Sequence, residues 1–271
     1  MNSQSSTSRF LPLPALLLAS VVAFAALRVE AQTVVLGTAA NFTVLGGATI
    51  TNTGATVISG TIGGLGSSPG TSVTGFPPGT VIGGSIHAND ASATQAVADA
   101  QTAFNQLGTF AVTTTLTGQN LGGLILAPGV YFYSAAAAQT GVLTLDGQGQ
   151  VNPLFVFRIG TTLITTGTAS VNFINGATAA NTWFQVGSSA TLGTGASYGG
   201  NIIAQASDTM NTGASLDGRL FALTGAATLD TNSITAPSAV PEPATTAVLI
   251  ASLAAALVFV KRAKVAVQSE S

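Results

Sequence analysis

Three stretches of this chain repeat one pattern in quick succession: ATLGTGAS at 190–197, DTMNTGAS at 208–215 and ATLDTNSI at 227–234. Aligned on their apolar positions they give a column, Leu163, Leu192, Met210 and Leu229, each directly preceded by threonine, and the last two steps are 18 and 19 residues. A unit this short cannot bury its own apolar side, but stacked copies can, so a period of this size with strand-like alternation predicts a solenoid. Upstream of each column residue lies a more apolar segment: FVFRI at 155–159, WFQV at 183–186, IIAQA at 202–206 and LFAL at 220–223. Downstream lies a small-residue strand: ASV at 169–171, ASY at 196–198, ASL at 214–216 and NSI at 232–234. Three short strands per turn, with Gly, Asn or Asp at the corners, describe one coil of a triangular parallel β-helix.

Side chains alternate in and out along a strand, and stacked coils place equivalent residues about 4.7–4.9 Å apart, so a repeated outward residue becomes a straight ladder. The sequence offers two ladders. The first is Thr162, Thr191, Thr209 and Thr228, extended by Thr144 before Leu145; the second is Ser170, Ser197, Ser215 and Ser233, joined by Thr56 if the N-terminal segment stacks there. Thr165, Thr194, Thr212 and Thr231 complete a T-x-x-T spacing near a corner. The strands around 155–159, 183–186 and 202–206 differ, being apolar at both parities, which predicts a face covered on its outside as well. The cover is NDASATQAVADAQTAFNQLG at 89–108, where Ala93, Ala96, Val97, Ala100, Phe104 and Leu107 fall on one helical stripe. This pattern predicts a helix over about 90–107, with Asp90 as N-cap and Gly108 as its stop. TNTGATV at 51–57 matches MNTGASL at 210–216, and the Pro- and Gly-rich LGSSPGTSVTGFPPGTV at 65–81 reads as loop.

Of the 271 residues only 6% are charged, there are 32 glycines, and cysteine is absent. The N-terminus has one Arg, a long apolar stretch and the small-residue exit Val29-Glu30-Ala31, which reads as a secretory signal over 1–31. The domain then occupies 32–237 and a distinct tail 238–271. Without cysteine no disulfide framework holds the domain, so ladder hydrogen bonds and core packing must suffice. Between the two ends six aspartates stand against Arg158 and Arg219, a net charge near −4. Nucleic acid is excluded as a partner, because phosphate neutralisation needs clustered Lys and Arg. Catalysis, a metal or another cofactor is not expected either. His87 is the only histidine, suited to a place beside the helix start, and Asp208, Asp217 and Asp230 recur near corners, where aspartate usually makes turn hydrogen bonds.

Taken together, LGTAANFTVLGGATITNTGATVISGTIG at 36–63, SPGTSVTGFPPGTVIGGSIHANDASATQAVADAQTAFN at 68–105, LGGLILAPGVYFY at 121–133 and the run from LTLDGQG to NSITAP at 143–237 resemble the ice-binding-like family. The resemblance implies a discontinuous right-handed β-helix, in which the N-terminal segment completes the stack beside the C-terminal coils and one long helix packs alongside. It also implies an ice crystal as partner, and the T-x-x-T rows resemble ice-site rows of the family. Ice presents a flat lattice of water oxygens and no charge. Threonine suits it: a hydroxyl orders water, a methyl is apolar, and the branched Cβ restricts χ1. Pro241-Glu242-Pro243, the 17-residue apolar run 244–260 and Lys261, Arg262 and Lys264 resemble the PEP-CTERM sorting signal. That likeness implies an exosortase as processing partner, a helix at the lower limit for spanning a bilayer, and delivery to the cell surface or the extracellular matrix. The competing function is a non-enzymatic adhesive or structural protein of an exopolysaccharide matrix, which the same tail suits.

Overall fold

The computed structural model describes residues 33–60 and 63–237. The readings on residues 1–31 and 238–271, including Pro241, Glu242, Pro243 and the apolar run, lie outside the described residues. Apart from one long helix, the chain between Val34 and Pro237 winds as a stack of coils that supply short strands to three sheets, and the strand pairs are parallel. The helix-covered sheet has nine strands, in the spatial order Ile86–Ala88, Gly64–Ser67, Phe42–Gly46, Leu220–Ala222, Asn201–Ala204, Thr182–Val186, Phe155–Ile159, Gly129–Tyr133 and Thr114–Thr115. The threonine sheet has seven, from Ala137–Gln139 through Leu163–Thr165, Ala190–Leu192, Asp208–Met210, Ala227–Asp230 and Thr49–Thr53 to Ser72–Thr74. The serine sheet has eight, from Thr80–Val81 through Val57–Ser59, Ser233–Thr235, Ser215–Asp217, Ser197–Gly199, Ser170–Ile174 and Val142–Asp146 to Ile125–Leu126.

The solenoid is discontinuous in sequence. The coil 220–235 is followed in space by the coil 42–59, with Leu45 opposite Phe221, Thr51 opposite Thr228 and Val57 opposite Ser233. Arg219 ties this join. It is buried, its Nη1 donates to Asn201 Oδ1 at 3.1 Å and its Nη2 to the Ala40 carbonyl at 3.3 Å. Burial lowers the pKa of its guanidinium to about 10. The stretch 65–81, expected to be loop, instead completes a coil through Gly64–Ser67, Ser72–Thr74 and Thr80–Val81. Its glycines and prolines punctuate strands of only two to four residues, too short to leave a periodic signal.

The core is apolar and aromatic. Tyr131, Phe157 and Phe184 stack on successive coils with ring centroids 5.3 and 4.7 Å apart, close to the rise from coil to coil, and Tyr198 of the serine sheet tilts against Phe184 at 5.2 Å. The doubly apolar sheet is covered as expected. The helix Ala91–Thr109 lies on it, burying Ala96, Ala100, Ala103 and Leu107 against Leu45, Val130, Val156, Trp183, Ile203 and Phe221. Asp90 caps its N-terminus, accepting from Ala93 N at 2.9 Å, while His87 Nδ1 pairs with the other carboxylate oxygen at 2.6 Å. The backbone and His87 hydrogen bonds together hold the Asp90 pKa below its usual value. The helix runs one residue past Gly108, the expected stop, and Arg158 Nη1 holds the Phe110 carbonyl beyond its C-terminus at 2.9 Å. Nineteen helical residues rise about 28 Å. With residues 110–113 extended, the segment returns from one end of a stack about 38 Å long to the other.

Candidate threonine face

The outward positions of the threonine sheet read, in register, Ala138, Ile164, Thr191, Thr209, Thr228, Thr51 and Thr74. Five successive rungs are therefore threonine. Among the described residues the Thr191 and Thr209 hydroxyls have no hydrogen-bond partner, and Thr51 Oγ1 reaches Thr228 Oγ1 only at 3.5 Å. Inward residues of the same strands alternate with them: Ala190 and Leu192, Asp208 and Met210, Ala227 and Leu229 are buried.

Thr191, Thr209 and Thr228 stand side by side, but Thr162 and Thr144 do not join them. Leu163 faces Ala190, not Leu192, so the rung beside Thr191 belongs to Ile164, and Thr162 sits in the corner before the strand. A slip of two residues preserves which side faces the core, so the apolar pattern cannot reveal it. Thr144 belongs to the serine sheet, opposite Asn172 and Ile125. In that sheet Ser170, Ser197, Ser215 and Ser233 do form one ladder, which runs on to Val57 and Thr80 at one end and to Val142 at the other. Thr56 is buried instead, accepting a hydrogen bond from Asn232 N at 3.0 Å. Matching TNTGATV to MNTGASL by letter is one residue out of register: Thr51 stacks with Thr228, which aligns with Thr209 and not with Met210. A slip of one flips every side chain, which turns Val57 out and Thr56 in.

The T-x-x-T partners line the corner between the threonine and serine sheets. Thr194, Thr212 and Thr231 are exposed, whereas Thr165 is buried and its hydroxyl accepts from Gly193 N at 2.9 Å. The Asp230 carboxylate gathers two of the exposed ones: Thr212 Oγ1 donates to Oδ2, and Thr231 Oγ1 to Oδ1 at 3.0 Å. Gly195 and Gly213 turn this corner with φ near 70°, and Thr231 adopts φ 53° despite its branched Cβ, an uncommon conformation for threonine.

The two ladders differ in their surroundings. Corners bordering the threonine sheet are short, such as 187–189, 205–207, 193–196 and 211–214. Among the coils 129–235 the longest connections, 147–154 and 175–181, leave the serine sheet for the helix-covered sheet, on the far side of the solenoid. Charge is also kept away: Asp90, Asp99, His87, Arg158 and Arg219 lie on the helix side, and Asp146 and Asp217 on the serine sheet. Asp230 alone marks the edge of the threonine face. The third corner aspartate, Asp208, points inward, fully buried, and neither carboxylate oxygen has a hydrogen-bond partner. Burial raises its pKa well above the usual value, and the Ala190 amide offsets this in part without completing a hydrogen bond. Among the described residues no group of three or more His, Cys, Asp and Glu side chains is placed to hold a metal ion, and no helix is long and apolar enough to cross a membrane.

The family model described as ice-binding-like matches residues 44–235, the whole run of coils from Val44 to Thr235. The chain belongs to the ice-binding-like family. An ice-binding protein of Nostoc sp. (strain HG1) is 46% identical over 255 residues, covering 90% of this chain and 93% of that one. The ice-binding protein of Flavobacterium frigoris (strain PS1) is 30% identical over 215 residues, 74% of this chain and 76% of that one. Among solved structures, an ice-binding protein from an Antarctic biological consortium superposes with TM-score 0.72 at 43% identity, over 77% of this chain and 94% of the other. That of the Antarctic ascomycete Antarctomyces psychrotrophicus gives TM-score 0.71 at 43% identity, over 75% of this chain and 98% of its own.

Proposed function

We propose that this protein binds ice through the threonine face and thereby restrains ice growth or recrystallisation, with Thr191, Thr209, Thr228, Thr51 and Thr74 as contact residues. The observation that carries the reading is the uninterrupted run of five outward threonines on a sheet bordered by short corners. Parallel coils hold the methyl and hydroxyl groups at one spacing, and the branched side chains lose little freedom on contact. Weakly hydrated, uncharged and regular, the face can order a layer of water that a crystal extends. The serine ladder Ser170, Ser197, Ser215 and Ser233 is a poorer surface, four rungs long between Val142 and Val57 and neighboured by Asp217 and the long connections.

The protein acts by adsorption, without catalysis. The segment 1–31 directs export, and Pro241, Glu242 and Pro243 with the apolar run 244–260 direct the chain to an exosortase and on to the cell surface or its polysaccharide matrix. Direct grip on exopolysaccharide is the weaker second reading, because Trp183, the single tryptophan, is buried beneath the helix. The test is thermal hysteresis and ice recrystallisation inhibition by the purified chain, beside Thr209→Tyr with its fold checked by circular dichroism. Loss of activity in a folded Thr209→Tyr supports the face. Full activity removes the threonine ladder, and an inactive parent chain removes the ice reading.

A further inference from the structure

A shortened corner sets the one charge at the margin of the threonine face. Met210 stands opposite Leu229 and Ser215 opposite Ser233, so the turn from the threonine to the serine sheet takes four residues in one coil, 211–214, and three in the next, 230–232. Thr231, with its positive φ, makes the tighter bend possible. The bend brings Asp230 beside Thr212. Gly213 N–H donates to the Asp230 carbonyl at 3.1 Å, the Thr212 hydroxyl donates to carboxylate Oδ2, and Thr231 Oγ1 donates to Oδ1 at 3.0 Å. Asp230 lies two residues beyond Thr228 on its strand, opposite Thr53, which lies two beyond Thr51. Its carboxylate therefore starts from the same side of the sheet as the ladder, about 6.7 Å farther along.

The corner itself is held by other groups. Asn232 Oδ1 accepts from Asp230 N at 2.6 Å, and Asn232 Nδ2 donates to the Asn211 carbonyl at 2.9 Å and to the Ala214 carbonyl at 3.1 Å. Thr231 N–H donates to the Thr53 carbonyl of the next coil at 2.9 Å. What the carboxylate adds is polarity. A threonine hydroxyl has one proton, and once that proton is committed to a carboxylate only lone pairs are left for water. Thr212 and Thr231 are exposed and in that state, whereas the hydroxyls of Thr191 and Thr209 can turn to suit the water they meet. We propose that Asp230 is a positioning residue of the ice face: by taking both protons it fixes Thr212 and Thr231 as acceptors, so that the first waters held along this margin point a hydrogen inward. This rests on the ice reading above and adds to the adaptable ladder an edge of set orientation. The two hydroxyls also mask the acid, each capping one carboxylate oxygen beside a face made for uncharged water.

The test compares the parent chain with Asp230→Ala, Asp230→Asn, Thr212→Val and the double variant of Asp230→Ala with Thr212→Val. Each is measured for the lowest concentration that inhibits ice recrystallisation, with circular dichroism and Tm alongside, and hydroxyl protons are followed by NMR in cold water. In the parent, slowly exchanging hydroxyl protons are expected at Thr212 and Thr231 and not at Thr209. Asp230→Ala and Thr212→Val should each raise the inhibiting concentration roughly fivefold, the worth of about one hydrogen bond, with Tm little changed. Asp230→Asn, which keeps one acceptor oxygen, should fall between parent and Asp230→Ala. The double variant should be no worse than Asp230→Ala alone, because both changes break the same link. Fast exchange at both hydroxyls in the parent, single variants as active as the parent or more so, or additive losses in the double variant would each overturn the role of Asp230. If Asp230→Ala fails to fold, Thr212→Val leaves the corner intact and decides the matter. An inactive parent, or full activity in a folded Thr209→Tyr, is instead a failure of the ice reading.

Discussion

Asp208 offers the sharpest test of the packing. Its column on the inner side of the threonine sheet runs Ala137, Leu163, Ala190, Asp208, Ala227, Ile50 and Val73, so a carboxyl stands among apolar neighbours. The one ion pair among the described residues, His87 with Asp90, does not involve it. Desolvation favours the neutral acid, and the folded-state pKa is raised above the ordinary 3.8. Below that ordinary value both folded and unfolded chains hold the proton, and this group adds no pH dependence. Above it the unfolded chain ionises while the folded one stays protonated. Stability then falls by about 1.4 kcal/mol per pH unit until the folded pKa is passed. Asp208→Asn keeps the shape and cannot ionise. Urea unfolding of both chains at about pH 4.5, 5.5 and 6.5 should show the variant gaining on the parent by about that slope. Asp90, Asp99 and Asp146, whose pKa values are lowered, are common to both chains and cancel in the difference. Parallel stability curves would refute the reasoning and mean that the carboxyl is solvated or paired.

Other substitutions probe other parts. Ile164→Thr adds a sixth threonine rung at the lower end of the ladder and should raise recrystallisation inhibition with little change in Tm; a fall in activity would argue that the face is not read as a row. Arg219→Ala leaves Asn201 Oδ1 and the Ala40 carbonyl without this donor, each worth about 1–3 kcal/mol, so a loss of about 2–4 kcal/mol is expected in denaturant unfolding. Asp90→Ala removes the helix cap and the His87 partner, and should lower Tm and speed hydrogen exchange in the first helical turn while leaving the C-terminal coils protected.

Much of this arrangement was legible in the letters. The repeats near 190, 208 and 227 disclose the coils, double apolar parity discloses the covered sheet, and the alanine stripe discloses what covers it. Register was less legible, for two separate reasons. Leu163 has an inward alanine and an inward leucine as possible partners two residues apart, and either choice keeps Leu163 inward and Ile164 outward. The segment 51–57 copies the wording of 210–216 but stacks one residue out of step with it throughout, so its lettering misplaces Thr51 and Thr56. Thr51 and Thr74 were therefore missed as rungs, although the alternation in TITNT already points Thr51 away from Ile50. Asp208 was hidden by its resemblance to Asp230: both fall near a corner once per coil, and only their neighbours distinguish a turn acceptor from a buried acid.

The join between residues 42–59 and 220–235 also sets a timetable. Thr51 and Thr228 touch across 177 positions of sequence, so the N-terminal coils 42–59 and 64–81 pair with each other early but cannot join the rest of the stack until nearly the whole domain has emerged. Contacts that distant close slowly. Closure of the stack therefore waits for the last coils, and the topology itself sets when the domain can complete its fold.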